Sequence, residues 1–262
     1  VYDAAALDRG KSLNSEICPG PSLYTDLTEI LLRFRQHPIA LVGDVAEMFL
    51  QVELPPEDRR YHRVLWRNFD ESRQPDIYEA QRWMFGNAAA PFCTQFAMRE
   101  HAKRNKAQYP IASQVALSNI YMDDALASFA DEEAALEARV QLHDMMREAG
   151  MAMRKWLTNS KSVLEVIPQD QRSPDVHLHI QENELPSVKT LGVMWNAESD
   201  VFSVDVADDA GASQTCTKRS CLKKMASVFD PLGFLIPFLI MAKILFQSTW
   251  DMNLTWDEEI TG

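Results

Sequence analysis

An α+β fold is what this sequence predicts, and three observations carry the prediction. Apolar runs of strand length alternate with longer segments of helical spacing. One such run, Pro38 to Gly43, ends on an acid, Asp44, and another pair of runs flanks the adjacent acids Asp123 and Asp124. In chain order the elements read βαβ, helix, β-hairpin, αβ, which is the split βαβ, ferredoxin-like order.

Each element has its local reason. Ser22 is the expected cap of a helix reaching about Arg35, whose apolar side is Leu23, Leu27, Ile30, Leu31 and Phe34. The strand Ile39 to Val42 follows, and Val45-Ala46-Glu47-Met48-Phe49 then leaves the sheet. Residues 61–66 and 76–83 are rich in aromatic and β-branched side chains and read as paired strands joined by the polar turn 68–74. Pro91 opens a helix of three turns through His101, since proline is tolerated at a helix start. Residues 115–121 and 125–130 read as the arms of a hairpin with the two aspartates at its tip. Asp131 is the expected cap of the next helix, with Glu132 and Glu133 in its first turn and Gly150 at its end. Residues 222–229 and 237–250 read as two late helices broken by Asp230-Pro231-Leu232-Gly233.

Composition bounds the function without naming it. The chain has 262 residues, 46% hydrophobic and 24% charged, enough to bury a substantial core in one large or two modest domains. No run of about twenty uncharged apolar residues exists to span a bilayer, and the opening residues lack the basic, apolar and cleavage regions of a secretory signal. The chain opens without Met and reads as a fragment. Cys18, Cys93, Cys216 and Cys221 lack Cys-x-x-Cys spacing, so reduced thiols are expected rather than a zinc site or disulfide framework. His177 and His179 alternate along a possible strand, and two histidines without a third ligand receive no metal.

The net charge is −12, against the basic groove that a duplex-tracking protein should offer. The excess is local: residues 165–211 hold ten acids against Arg172 and Lys189, a net of −8, which leaves −4 for the rest. Pro168, Pro174 and Pro186 mark much of that segment as solvated loop around two short strands. Elsewhere Arg59, Arg60, Arg63 and Arg67 form one basic cluster, and Lys218, Arg219, Lys223 and Lys224 another; either serves to contact phosphate or to solubilise a face.

Asp44, Asp123 and Asp124 carry the chemistry. An Asp-Asp turn alone is usually solvated, and Asp44 alone reads as a helix cap. Three carboxylates on neighbouring strand ends are what a pair of divalent cations needs, because Mg²⁺ takes hard oxygen ligands and a two-ion site clamps both oxygens of phosphoryl transfer.

Asp44-Val45-Ala46-Glu47-Met48-Phe49, followed by Tyr121-Met122-Asp123-Asp124, resembles the first and third palm motifs of reverse transcriptases. Almost the whole chain is similar to the Bel/Pao class of long-terminal-repeat retrotransposons. The motifs that carry this come in one order: residues 1–6, Ser12-Leu13-Asn14, Gly20-Pro21, residues 32–35, the Asp44 motif, residues 56–60, Leu65-Trp66-Arg67, Phe85-Gly86-Asn87, the Asp123 motif, residues 153–156, residues 191–195 and residues 229–233.

The resemblance implies a right-hand polymerase palm with partial fingers over 1–206 and the start of a helical thumb or connection over 207–262. It implies an RNA-directed DNA polymerase that adds dNTPs to a primer on an RNA or DNA template, with two Mg²⁺ ions that Mn²⁺ can replace. Asp44, Asp123 and the backbone carbonyl of Val45 are the implied metal ligands, with Asp124 more peripheral. Phe49, five residues past Asp44, would exclude a 2′-hydroxyl; Phe85, Gly86, Pro91, Tyr121 and Met122 would line the nucleotide site. Phe85 stands where the family commonly has glutamine, and Ala88-Ala89-Ala90 lets the helix pack closely or merely favours helix. Lys155, with Lys161 as its rival, is the implied lysine of the fourth motif, and Leu191, Gly192 and Trp195 the implied primer grip. Partners implied are the RNase H, integrase and protease regions of one polyprotein, with a basic fingers strand upstream of Val1 to Asp3 and the rest of the thumb, RNase H and integrase past Gly262. The location implied is the cytoplasm, within virus-like particles and away from membranes. No Asp-Thr-Gly or Asp-Ser-Gly occurs, so protease activity is not expected of this chain. A catalytically inactive remnant serving as a binding module is the alternative, favoured by the acidic balance and the missing fingers strand.

Overall fold

The computed structural model describes residues 3–179, 184–204 and 215–260. The chain forms two compact units, Val1–Pro174 and Asp175–Gly262, so by contacts it divides at Pro174, whereas the expected boundary near 206 separates expected roles.

In the first unit, α1 (Leu13–Glu16) is held by a capping box between Ser12 and Ser15. Next, α2 (Leu27–Phe34) buries Ile30, Leu31 and Phe34. Its cap is Asp26, which accepts from the Glu29 N–H at 3.1 Å, so the helix begins later than the expected Ser22. The chain continues through β1 (Ile39–Val45), α3 (Met48–Gln51), β2 (Arg63–Trp66), β3 (Asp76–Glu79), α4 (Ala90–Arg104), α5 (Pro110–Ser118), β4 (Ile120–Tyr121), β5 (Asp124–Phe129), α6 (Glu132–Glu148), β6 (Met153–Thr158) and α7 (Lys161–Val166).

Strands β4-β5-β1-β6 form one sheet in that spatial order, each neighbour antiparallel. Strand β1 lies inside it, and Ala40 to Gly43 are buried on both faces, which is why this strand reads as an uninterrupted apolar run. Helix α6 packs on β1, β5 and β6, while α5 packs against α6 and α4. As expected, Asp131 caps α6 and Gly150 follows it at φ +73°.

Three expected elements differ. Residues 115–118, expected as strand, belong to α5: Pro110 starts the helix, and Ala112, Ser113, Val115 and Ala116 are buried. A short apolar run cannot by itself separate a buried helix from a strand. The strand expected over 76–83 pairs with β2 only through Glu79. Residues 81–83 turn instead to the chain after α3, where Leu54 N–H donates to Gln81 O at 2.8 Å and Trp83 N–H to Val52 O at 3.1 Å. His177 and His179 lie in α8 (Pro174–His179), not on a strand.

In the second unit, β7 (Ser187–Thr190), β8 (Val193–Asn196) and β9 (Val201–Ser203) form an antiparallel meander. Leu191 and Gly192 join β7 to β8 at φ +47° and +83°, the pattern of a two-residue type I′ turn. A Cβ at Gly192 would stand 2.6 Å from the Phe229 ring, so glycine serves both the turn and the packing. Helix α9 (Lys218–Ala226) starts at a Thr217–Ser220 capping box, four residues ahead of the expected start. Asp230 accepts from the N–H groups of Phe234 and Leu235 at 3.0 and 2.6 Å and so shapes the break before α10 (Ile236–Ser248). Phe234 ahead of it and Phe238, Met241 and Leu245 along it are exposed. No helix among the described residues is long and apolar enough to cross a membrane.

Candidate active site

Strand pairing brings the three acids together. Asp44 lies opposite Asp124 in the β1/β5 register, and the Val45 N–H donates to the Asp123 carbonyl at 2.8 Å. Asp123 itself sits with Met122 in the two-residue turn between β4 and β5, where Tyr121 pairs with Asp124. Met122 adopts φ +54°, an unfavourable conformation for an unbranched residue that the tight reversal demands. Gln95, buried on α4, donates its side-chain amide to the Met122 carbonyl at 2.8 Å and braces the turn. The sequence reading missed Gln95; its signal is the position one helical turn after Pro91, on the same face.

The acids feel one another. Burial pushes the Asp123 carboxyl up, the charge on Asp44 adds to this, and its own backbone N–H, Lys155 and Arg154 pull back. Asp124 rises to about 6, from burial first and then from Asp123 and Asp44. A carboxylate with a raised folded pKa contributes stability that is complete below the unfolded value of 3.8 and lost as pH climbs through about 6. Asp124→Asn should therefore stabilise the metal-free protein at pH 7 by about 1–2 kcal/mol, a value discounted for partial exposure, and leave it unchanged below pH 4. Thermal unfolding in EDTA at the two pH values checks this; equal midpoint shifts at both would contradict it.

A β-bulge supplies the cations. Between the pairs Val42↔Leu157 and Asp44↔Arg154, Gly43 alone faces two residues of β6, Lys155 and Trp156, and Lys155 takes φ +53°. Consecutive strand residues normally point to opposite faces, and the bulge re-aims them. Arg154 Nε and Lys155 Nζ both reach the Asp44 carboxylate, at 3.0 and 3.4 Å. Lys161 opens α7, beyond the end of β6 that pairs Thr158 with Leu41, so the strand carries it away from Asp44. Gly43 is required by packing: a Cβ there would be 2.9 Å from the buried Trp156 indole.

The remaining site residues gather on the segments around α3 and α4. Phe49 on α3 meets the exposed Phe85 edge to face, with ring centroids 5.0 Å apart. Gly86 takes φ +92°, and Asn14 clamps this bend by donating to the Gly86 carbonyl and accepting from the Ala88 N–H, each at 2.8 Å. Pro91 occupies the first turn of α4. Tyr121 lies against Tyr24, whose ring centroid is 5.4 Å away and whose buried hydroxyl has no hydrogen-bond partner among the described residues.

In the second unit, Leu191 and Gly192 form the β7/β8 turn, while Trp195 is fully buried and donates its indole N–H to Asp200 at 3.0 Å. Trp195 thus acts on the hairpin's shape rather than as a surface contact. The basic clusters are partly committed to structure. Arg63 pairs with Glu79 at 2.7 Å, Arg59 bonds the Leu54 carbonyl, Lys218 is buried over the Trp250 ring and Arg219 pairs with Asp257. Lys223 and Lys224 stay exposed.

Among the described residues, no three carboxylate, imidazole or thiolate groups converge into a ready cation cage, and Asp44 faces Arg154 and Lys155 instead. The donor set nevertheless suits a hard divalent ion. Three carboxylates are neighbours through the β1/β5 pairing, and burial with mutual repulsion raises the pKa of Asp123 and Asp124, a shift that a bound cation would oppose.

Comparison with known proteins agrees with this geometry. Residues 4–193, more than two thirds of the chain, match the family described as reverse transcriptase (RNA-dependent DNA polymerase). Residues 217–262 match a second family, the Pao retrotransposon-like RNaseH-like domain, over the segment expected to open a thumb. No curated protein matches the chain. The paired strand-end acids and both family matches therefore lead to one statement: this chain belongs to the reverse transcriptase family, as part of the polyprotein of a Bel/Pao-type retrotransposon.

Proposed function

We propose that the sheet β4-β5-β1-β6 with α4, α5 and α6 is the palm of this RNA-directed DNA polymerase, and that nucleotide addition takes place over Asp44 and Asp123. The observation that carries the proposal is the juxtaposition of Asp44, Asp123 and Asp124 at neighbouring strand ends. Two Mg²⁺ ions bound there, or Mn²⁺ in their place, would supply charge neutralisation of the triphosphate and a lowered pKa for the primer 3′-hydroxyl. Asp44, Asp123 and the Val45 carbonyl are the first choice of ligands, with Asp124 holding the cluster from its partly buried position.

The chain's own residues do the rest. Lys155, half exposed beside Asp44, would be placed to steady a bound triphosphate or give a proton to the departing pyrophosphate, with Arg154 beside it. Gly86, bent by Asn14, lets backbone approach the nucleotide without a Cβ in the way. The β7/β8 hairpin through Leu191 and Gly192 is the proposed primer grip, and the β2/β3 hairpin the proposed remnant of the fingers. Residues 207–262 are the proposed thumb or connection. RNase H, integrase and protease regions of the polyprotein are the proposed partners, and a virus-like particle in the cytoplasm the proposed setting.

Phe49 sets the sugar preference. Its ring packs edge to face on Phe85, and in the proposed site it would clash with a 2′-hydroxyl. Phe49→Val should raise ribonucleotide incorporation relative to deoxynucleotide by about 10- to 100-fold, the scale of a pocket that gains room for one small group. Primer extension with dNTPs and NTPs in parallel measures it. A ratio unmoved in an active variant would remove Phe49 from the nucleotide site.

A further inference from the structure

We propose that Cys216 and Cys221 form a modification site, a dithiol that hydrogen peroxide converts reversibly into a disulfide across the first turn of α9. The two sulfurs stand 3.6 Å apart, in contact. Cys216 precedes the Thr217 cap and Cys221 is the fourth residue of the helix, the pair of positions across which helix-start side chains ordinarily pack. Closing to bond length takes about 1.5 Å of side-chain rotation.

Backbone geometry holds both partners in place. The Thr217–Ser220 capping box fixes the turn, the Cys221 N–H donates to the Thr217 carbonyl at 2.9 Å, and the Cys216 carbonyl accepts from the Ile260 N–H at 2.7 Å. The two thiols also differ in access, for Cys216 is exposed and Cys221 partly buried. Burial, and then the neighbouring Cys216, raises the Cys221 thiol above its ordinary value, and the exposed Cys216 is the one peroxide reaches first.

The chemistry balances in two steps. The Cys216 thiol releases its proton, its sulfur attacks peroxide, the O–O bond breaks, and the departing hydroxide takes up that proton as one water while sulfenic acid forms. The Cys221 sulfur then attacks the sulfenyl sulfur, its proton leaves with the hydroxyl as a second water, and the S–S bond closes. Two thiols are oxidised and one peroxide is reduced. The product joins the chain ahead of α9 to the helix itself, and because the link is near the surface a dithiol reductant reopens it.

Peptide mapping of the full chain tests this. The reduced protein is exposed to hydrogen peroxide, its remaining thiols are alkylated, and it is cut with trypsin after Lys218 and Arg219. Cys216 and Cys221 then leave on separate peptides unless a disulfide joins them. The expected result is a joined pair, two of the four thiols lost, Cys18 and Cys93 still alkylated, and full reversal by dithiothreitol. Cys221→Ser should stop at a sulfenic acid that dimedone traps on Cys216, and Cys216→Ser should leave Cys221 alkylated. Wild-type protein in which both cysteines stay alkylated, or in which Cys216 links to Cys18, Cys93 or a second chain, would overturn the proposal.

Discussion

Asp44→Asn should abolish nucleotide addition, by about a thousandfold or more, because removing one anionic ligand from a shared divalent-ion site forfeits several kcal/mol of transition-state charge stabilisation. Asparagine keeps the shape of the side chain and the β1/β5 register, in which Asp44 faces Asp124. The fold should therefore persist, with the ion pairs to Arg154 and Lys155 lost at little cost, since both cations are about half exposed. Single-turnover primer extension beside circular dichroism separates the two effects. Activity within tenfold of wild type would mean that Asp44 is no more than a cap for its two cations.

Gly43→Val should destabilise the first unit by about 3 kcal/mol, the upper range for forcing extra carbon into a packed core. Its Cβ would meet Trp156 Cε3 and Cζ3 at 2.9 Å and Met153 Cε at 3.1 Å. The Trp156 ring has nowhere to retreat, being fully buried with the Arg139 guanidinium over it. Because Gly43 sits at the bulge, any relief of the clash shifts Lys155 and Arg154 away from Asp44, so activity should fall with stability. Urea unfolding gives the magnitude. The same change combined with Trp156→Leu, which opens space at the contact, should cost less than the sum of the two single changes. Strict additivity would show that the two side chains do not meet.

The part of the site that was legible in the sequence is the part made of local pattern. An apolar run ending in Asp44, and the doublet Asp123-Asp124 between strand-like residues, are short-range signals; β1 carries Asp44 and the β4/β5 turn carries Asp123, but Asp124, expected at the tip too, is the first residue of β5, because the two-residue turn is Met122-Asp123. What escaped depends on contacts between distant residues. The bulge that turns both Arg154 and Lys155 onto Asp44 exists only in the β1/β6 pairing, across more than a hundred residues. Gln95 holds the turn from a helix whose sequence says only where it begins, at Pro91. Residues 115–118 read as strand because valine, alanine and leucine fit either structure, and burial between α4 and α6 decides for helix. Trp195 reads as a motif residue, yet its indole lies in the core of its meander.

Outside the acidic segment 165–211, several arginines already hold acids. Arg63, Arg82 and Arg73 in the β2/β3 region pair with Glu79, Glu53 and Asp76. Exposed pairs of this kind contribute little to stability and can exchange their partners for phosphate.

The most direct test of the account is primer extension by the purified chain on an RNA template with dNTPs and Mg²⁺, with Asp44→Asn alongside. The account predicts template-dependent DNA synthesis that needs the divalent ion and disappears in the variant. A folded protein that binds the primer-template and adds no nucleotide in Mg²⁺ or Mn²⁺ would contradict it, and would make this chain a binding module built on a polymerase fold.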